Sequence, residues 1–384
     1  MKVTLIFLCF SFLICDSKAI INTPAPRDSI RKKPVNNKMI VGLIPVNPVK
    51  IARVTGNSLK DEKTPNPNQT AKNYDVGGTD LGIMWAMGNG KTGLFFGDTF
   101  GRDWTMDDNG KDWRSNVLAF ADKQDLDKGL RFSGMAMSKD GKKATQIIFS
   151  PHETNGNGDY TAIPTGAIRI NGVDYVSYMD VKKWEESGQW KTNYSGMYKS
   201  VDDGKTWIKC EARFPGDSHF AQTAFGMRDG YVYMIGIGSG RFGAAYAARF
   251  LPKDILNHAA YQYWAGTKGW ITGNEDDAAP IFGSPVGEPS LMYNTKYNLW
   301  MVTYINMKTS DIELRTAPEI SGPWSNERTL LTGKDHKGLY GGFMYPYKND
   351  GDNLYFAISI WPMYNVFLMK ATLKPEYGKL DIPE

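Results

Sequence analysis

Cysteine and histidine are scarce in this chain, with three cysteines and four histidines among 384 residues. Cys9 and Cys15 fall in an apolar N-terminal run, which leaves Cys210 alone in everything that follows. An intramolecular disulfide is therefore excluded for that remainder. Cys210 follows Trp207-Ile208-Lys209 and reads as a small packed hydrophobe. His152, His219, His258 and His336 lie far apart, and no H-E-x-x-H or Cys/His cluster occurs, so no zinc site is indicated.

An excess of one charge is missing too. The balance of 45 basic against 41 acidic residues gives a net +4. The one basic cluster, Arg27, Arg31, Lys32 and Lys33, lies in a Pro/Asn-rich stretch and not in a concentrated stripe, so nucleic-acid binding is not expected. Long apolar runs are absent after Val3–Ile14, which is too short to span a bilayer comfortably. Met1-Lys2 precedes that run and Ser17-Lys18-Ala19 follows it, the pattern of a signal peptide over 1–19. Residues 20–38 then read as a flexible leader. A secreted, soluble, monomeric protein of the bacterial periplasm or cell surface is expected. A lipid anchor at Cys15 is the alternative, against which Ile14 stands where a small residue is wanted.

Glycine (40) and aromatics (13%) are abundant, and stretches of good helix formers are rare, which favours strands joined by turns. A weak pattern recurs five times. Its aromatic-rich members are Gly93–Gly97, Val173–Tyr178, Gly230–Ile235, Tyr297–Val302 and Asn353–Ile358. A small-residue or apolar stretch precedes each and another strand follows. A recurrence of roughly fifty-five to eighty residues suits propeller blades with long loops. The expectation is an all-β fold, a five-bladed β-propeller with four-stranded antiparallel blades, over 39–384. Ser200-Val201-Asp202-Asp203-Gly204-Lys205-Thr206-Trp207 also matches the Asp-box of propeller hairpins, in which Asp202 is a turn residue and Trp207 a plug.

Strands of a blade run alternately along the axis, so the start of each first strand and the end of each second strand share a face. That rule gathers Asp80, Asp98 and Glu288 around one mouth, within Gly78–Gly82, Phe96–Phe100 and Gly287–Ser290. Asp180, Arg241, Asn306 and Trp361 end second strands there, while His219 and Tyr340 precede first strands. Carboxylates in tight, partly dry places have shifted pKa values. Two or three around one cleft point to glycosidic bond hydrolysis, with aromatics to stack on sugar rings and polar groups to bind hydroxyls. For Asp98 the bland reading is a loop cap paired with Arg102, and for Glu288 a satisfied turn residue.

Other signals are weaker. Gly238–Gly243 fits G-x-G-x-x-G, but without an alternating β/α pattern a dinucleotide site is not expected. His152-Glu153 reads as solvated. Asp107–Gly110 and Asn155–Asp159 are Asp/Asn-rich but lack the full EF-hand pattern and read as turns, so no cofactor is expected beyond an optional structural calcium.

The phrases Thr79-Asp80-Leu81-Gly82, Phe96-Gly97-Asp98-Thr99-Phe100, Arg114-Ser115-Asn116 and Gly287-Glu288-Pro289-Ser290 resemble those of the domain of unknown function 4185. Part of that family is classed as glycoside hydrolase family 183, the endo-D-arabinanases. The resemblance runs from about Val41 to Leu373. It implies a five-bladed propeller, endo-cleavage of α-D-arabinofuranosyl polymers such as mycobacterial arabinogalactan and lipoarabinomannan, and a place for Asn116 among the substrate-binding residues. By analogy with other five-bladed furanosidases, Asp80 is the base or nucleophile, Glu288 the acid and Asp98 a modulator, with acid and base exchangeable. A sialidase-like exo-glycosidase and a non-catalytic polysaccharide-binding propeller are the rival readings.

Overall fold

Short aromatic and β-branched runs, broken every few residues by glycine and asparagine, can bury two faces only by stacking as sheets. Residues 39–108, 110–156 and 158–378 are described by the structure, a computed structural model. The expected signal peptide and leader lie outside the described residues. Strand β1 is Met39–Arg53. A first group comprises β2 (Gly78–Gly88), β3 (Lys91–Phe100), β4 (Val117–Ala121) and β5 (Gly134–Met135). A second comprises β6 (Thr161–Ile170), β7 (Val173–Trp184), β8 (Trp190–Ser200) and β9 (Ile208–Pro215). A third has β10 (Gln222–Arg228), β11 (Tyr231–Ile237), β12 (Gly243–Phe250), β13 (Gln262–Trp264) and β14 (Trp270–Thr272). A fourth has β15 (Phe282–Asn294), β16 (Leu299–Asn306), β17 (Asp311–Ala317) and β18 (Arg328–Leu331). The last has β19 (Leu339–Met344), β20 (Asn353–Ile360) and β21 (Asn365–Gly378).

All pairings are antiparallel, and three of the sheets have four strands. One difference from expectation is that the third and fourth groups merge into one nine-stranded sheet. Gly243 pairs with Val286 and Ala245 with Phe282, and the short hairpin β13–β14 takes the outer place in the third group. Another is β1, which supplies the fourth strand of the last sheet by pairing with β21 from Met39↔Gly378 to Arg53↔Phe367. Pro45 and Pro48 are tolerated because β1 is an edge strand, where a missing N–H breaks no ladder.

The first strands of the groups touch in cyclic order: β2 on β6, β6 on β10, β10 on β15, β15 on β19, and β19 on β2. Close approach demands small residues here. A Cβ at Gly166 would lie 2.4 Å from the Thr223 carbonyl of the neighbouring strand. A cavity of about 30 Å³ sits among these strands, lined by Met84, Thr165, Phe225, Pro289 and Phe343, one from each.

The Asp-box behaves as expected. Asp202 accepts from the Thr206 N–H at 2.9 Å and from its hydroxyl at 2.6 Å, bonds that pull its carboxyl down to about 2. Gly204 supplies φ +81°. Trp207 plugs against Phe95 at 5.3 Å and Trp85 at 6.3 Å, tying the second group to the first. Burying a large ring of this kind stabilises by roughly 1.5–3 kcal/mol.

Candidate active site

Two inner strands break their regular pleat where the acids stand. In β2 the register shifts between Thr79 and Leu81 and again between Leu81 and Ile83, and Leu81 takes φ 67°. In β15 it shifts between Gly287 and Ser290, and Glu288 itself takes φ 50°. A bulge re-aims side chains that strict alternation would send elsewhere, and positive φ at a branched or long residue is costly. The surroundings hold the distortion of β2. The Leu81 N–H donates to Ser359 Oγ at 2.8 Å, and the hydroxyls of Thr79 and Thr99 bond at 2.6 Å.

The result is one cluster of half-buried Asp80, Asp98 and Arg241 with buried Glu288 and Tyr340. The Tyr340 hydroxyl donates to Asp80 Oδ2 at 2.9 Å. The other oxygen, Asp80 Oδ1, is buried without a hydrogen-bond partner among the described residues and packs over Gly97, where a Cβ would sit 2.3 Å away. Burial pushes the Asp80 carboxyl up to about 8, the neighbouring Asp98 and Glu288 charges add to the rise, and the Tyr340 bond and Arg241 oppose it. Burial lifts Asp98 to about 6 against two hydrogen bonds, from Thr161 Oγ1 at 2.5 Å and Trp113 Nε1 at 2.8 Å.

Glu288 is paired with a guanidinium. Arg241 donates from Nε to Oε1 at 2.8 Å and also from Nη2, and the Gly341 N–H donates to Oε2 at 2.7 Å. Burial works against the charge of Arg241, but Glu288 outweighs it and the guanidinium is held above its ordinary value. The Tyr340 ring lies 5.0 Å from the Arg241 guanidinium. Burial and the Asp80 charge hold the Tyr340 and Tyr364 phenols well above the usual range.

Several expected residues are engaged elsewhere. Asn116 is fully buried and its side chain is saturated. Its amide donates to the Ile148 and Ala162 carbonyls at 2.9 Å each, and its oxygen accepts from the Ile147 and Ile148 N–H groups. It ties the segment between β5 and β6 to the start of β4 and leaves nothing to offer a substrate. Asp180 accepts from Asn193 at 2.8 Å, and Asn193 also donates to Asp159. Burial raises Asp180 to about 6 with Asp159 adding to it, so its side chain faces that carboxylate and not the Asp80 cluster. Asn306 closes the β16–β17 turn by accepting from the Lys308 N–H at 3.0 Å. His219 stacks on Tyr246 at 3.9 Å. Trp361 is 66% exposed and stands edge-on to Tyr364 at 5.6 Å.

The bland reading of Asp98 fails on its partner, because Arg102 pairs with Asp75 at 2.8 Å. His152 is half-buried: its ring lies tilted against Trp113 at 3.9 Å, and burial lowers its pKa. Trp113, Thr161 and Tyr364 escaped the sequence reading. Thr161 opens β6 and so obeys the same face rule, but Trp113 comes from a loop with no periodic signal. Asn109 and Asn157 of the two Asp/Asn-rich runs lie outside the described residues. Among the described residues no three His, Cys, Asp or Glu side chains are arranged to hold a metal ion. No described helix is long and apolar enough to cross a membrane.

Comparison with known proteins gives a family and a fold. Residues 65–370 match the family described as "Domain of unknown function (DUF4185)". Notoamide biosynthesis cluster protein J' of Aspergillus versicolor is 29% identical over 308 residues, covering 76% of this chain and 83% of that protein. Notoamide biosynthesis cluster protein J of Aspergillus sp. (strain MF297-2) is 28% identical over 310 residues, covering 76% and 82%. Among solved structures, a Bacteroides ovatus ATCC 8483 protein whose own hydrolase assignment is provisional superposes with a TM-score of 0.55 at 14% identity, covering 78% of this chain and 86% of that one. That likeness is one of fold.

Proposed function

This chain belongs to the DUF4185 family, and from the three acids its strands assemble we propose that it is a glycoside hydrolase. The observation that carries the reading is the unequal treatment of two carboxyl groups at one mouth. Asp80 has a buried oxygen without a partner among the described residues and is pushed up to about 8, while Glu288 carries the counter-charge of Arg241. A carboxyl group raised in this way suits the acid, and a second one beside it with a guanidinium partner suits the base.

In this reading Asp80 holds its proton at neutral pH and gives it to the glycosidic oxygen as the bond to the anomeric carbon breaks. A water attacks that carbon and loses its proton to Glu288, whose Oε2 accepts one hydrogen bond among the described residues, from the Gly341 N–H. Asp98 lifts the acid's pKa by repulsion of like charge. These roles exchange those that analogy with other furanosidases implies. The fold is read as a five-bladed propeller, supported by the cyclic order of the inner strands and the cavity they line. The substrate is read as a D-arabinofuranosyl polymer cut internally by a secreted enzyme, which rests on the motif resemblance and the N-terminal pattern.

A sialidase-like reaction fits less well. Its tyrosine nucleophile wants a lowered pKa and its substrate carboxylate a free arginine cluster. Here the Tyr340 phenol is raised, and Arg241 is already taken by Glu288. Incubating purified protein with mycobacterial arabinogalactan and separating the products tests the reading. Released arabino-oligosaccharides support it. Binding without release favours a polysaccharide-binding propeller, and sialic acid released only from sialosides favours the sialidase.

A further inference from the structure

Beside Glu288 stands an aromatic shelf that the proposed chemistry does not use. We propose that this shelf, built from Trp184 and Phe242, is a glycosyl-binding subsite beyond the scissile bond. The site would then grip a chain of several linked sugars. The proposal rests on the glycosidase reading only for the identity of the ligand.

The shelf is made where two loops meet. The β7–β8 hairpin ends in Trp184 and Trp190, directly paired across the strands, with their rings edge to face at 5.4 Å. Its tip is fastened to the next group by the Arg241 N–H, which donates to the Gly188 carbonyl at 2.9 Å. Phe242 follows Arg241 in sequence and leans over the same tip. A Cβ at Gly188 would lie 3.1 Å from the Phe242 ring. Trp184 is 37% exposed and Phe242 47%, whereas Trp190 beneath them is buried.

Continuity with the acids comes through Arg241. Its guanidinium is 5.9 Å from the Trp190 ring on one side and bonds Glu288 on the other. Exposed aromatic rings next to a polar catalytic centre are poor company for water and good platforms for the C–H faces of sugars. The indole N–H of Trp190 has no acceptor among the described residues. Trp190 forms the buried floor of the shelf, one ring away from the exposed surface. A protein partner would need a wider apolar face than these two side chains offer.

The test uses the full chain carrying Asp80→Asn, which removes the acid while keeping the local shape, and mycobacterial D-arabinan as the probe. Affinity electrophoresis measures its dissociation constant with and without Trp184→Ala and Phe242→Ala, and circular dichroism confirms that the variants fold. The double variant is expected to bind at least about ten-fold more weakly, since truncating well-placed aromatic anchors commonly exceeds that loss. Binding within two-fold of the parent overturns the shelf, as does the absence of any retardation by the polymer in either protein. Cleavage of D-arabinan by the wild-type chain is scored separately. If the shelf variants lose affinity while the wild type releases no product, the shelf stands and the hydrolase reading falls. If the wild type cleaves and the shelf variants bind unchanged, the reverse holds.

Discussion

Replacing Asp80 by asparagine should make the protein more stable at neutral pH while abolishing the proposed activity. Asparagine imitates the protonated acid: its oxygen can still accept from Tyr340, and its amide replaces the oxygen that finds no partner. In the unfolded chain the Asp80 carboxyl ionises near 3.8, and in the folded protein near 8. The folded state therefore binds the extra proton between those values, and stability falls as pH rises through that window. Each pH unit between 3.8 and 7 is worth ~1.4 kcal/mol, so the ceiling at pH 7 is ~4 kcal/mol. Coupling to Asp98, which titrates near 6 in the same site, spreads the effect and lowers the gain. Urea unfolding of both proteins at pH 4, 5.5 and 7 measures it. The two curves should nearly coincide at pH 4, and the variant should gain ground at each higher pH. An Asp80→Asn protein that is less stable at pH 7, or has the pH slope of the wild type, would refute the neutral-acid assignment.

Gly97→Ala drives a methyl to within 2.3 Å of Asp80 Oδ1, and a displacement of that order costs roughly 10²-fold in kcat/KM, read on D-arabinan. The kcat/KM profile should fall above about pH 8, where Asp80 loses its proton, and Asp98→Asn should move that limb to lower pH by on the order of one unit. Asn116→Ala leaves the Ile148 and Ala162 carbonyls unpaired and should cost ~3 kcal/mol in denaturant unfolding, whereas a substrate-binding residue would leave stability unchanged. Arg241→Met strands Glu288 as a buried charge and should cost about 3–5 kcal/mol, much of it recovered by adding Glu288→Gln.

Local pattern was enough for most of the strands. The aromatic-rich second strands, such as Tyr231–Ile237 and Asn353–Ile360, announce themselves because large side chains on both faces need neighbours on both. Strand β1 is different. Its partner β21 begins at Asn365, and a pairing so distant leaves no mark on either segment alone. The merger of the third and fourth groups depends on two pairs between β12 and β15, which no periodicity encodes.

The acids were legible through the face rule, since Asp80, Asp98 and Glu288 each sit at a strand position whose direction the repeat sets. The same rule brought Asn306 to the mouth, and the motif resemblance implied a substrate-binding place for Asn116, but an asparagine beside a strand serves the backbone as well as it would serve a ligand. Asp180 follows the rule in position yet turns towards Asp159 and Asn193. What sequence could not reveal was the company each acid keeps. The Arg241 pair on Glu288 and the empty face of Asp80 come from bulges and loop crossings, and they decide which carboxyl is read as the acid.

The central claim is that these carboxyl groups cleave a glycan. Its most direct test is to count new reducing ends in D-arabinan treated with equal amounts of folded wild type, Asp80→Asn and Glu288→Gln. The account predicts a rising count and a ladder of oligosaccharides from the wild type, and neither from either variant. A polymer left intact by the wild type, or a variant as active as the wild type, would contradict it.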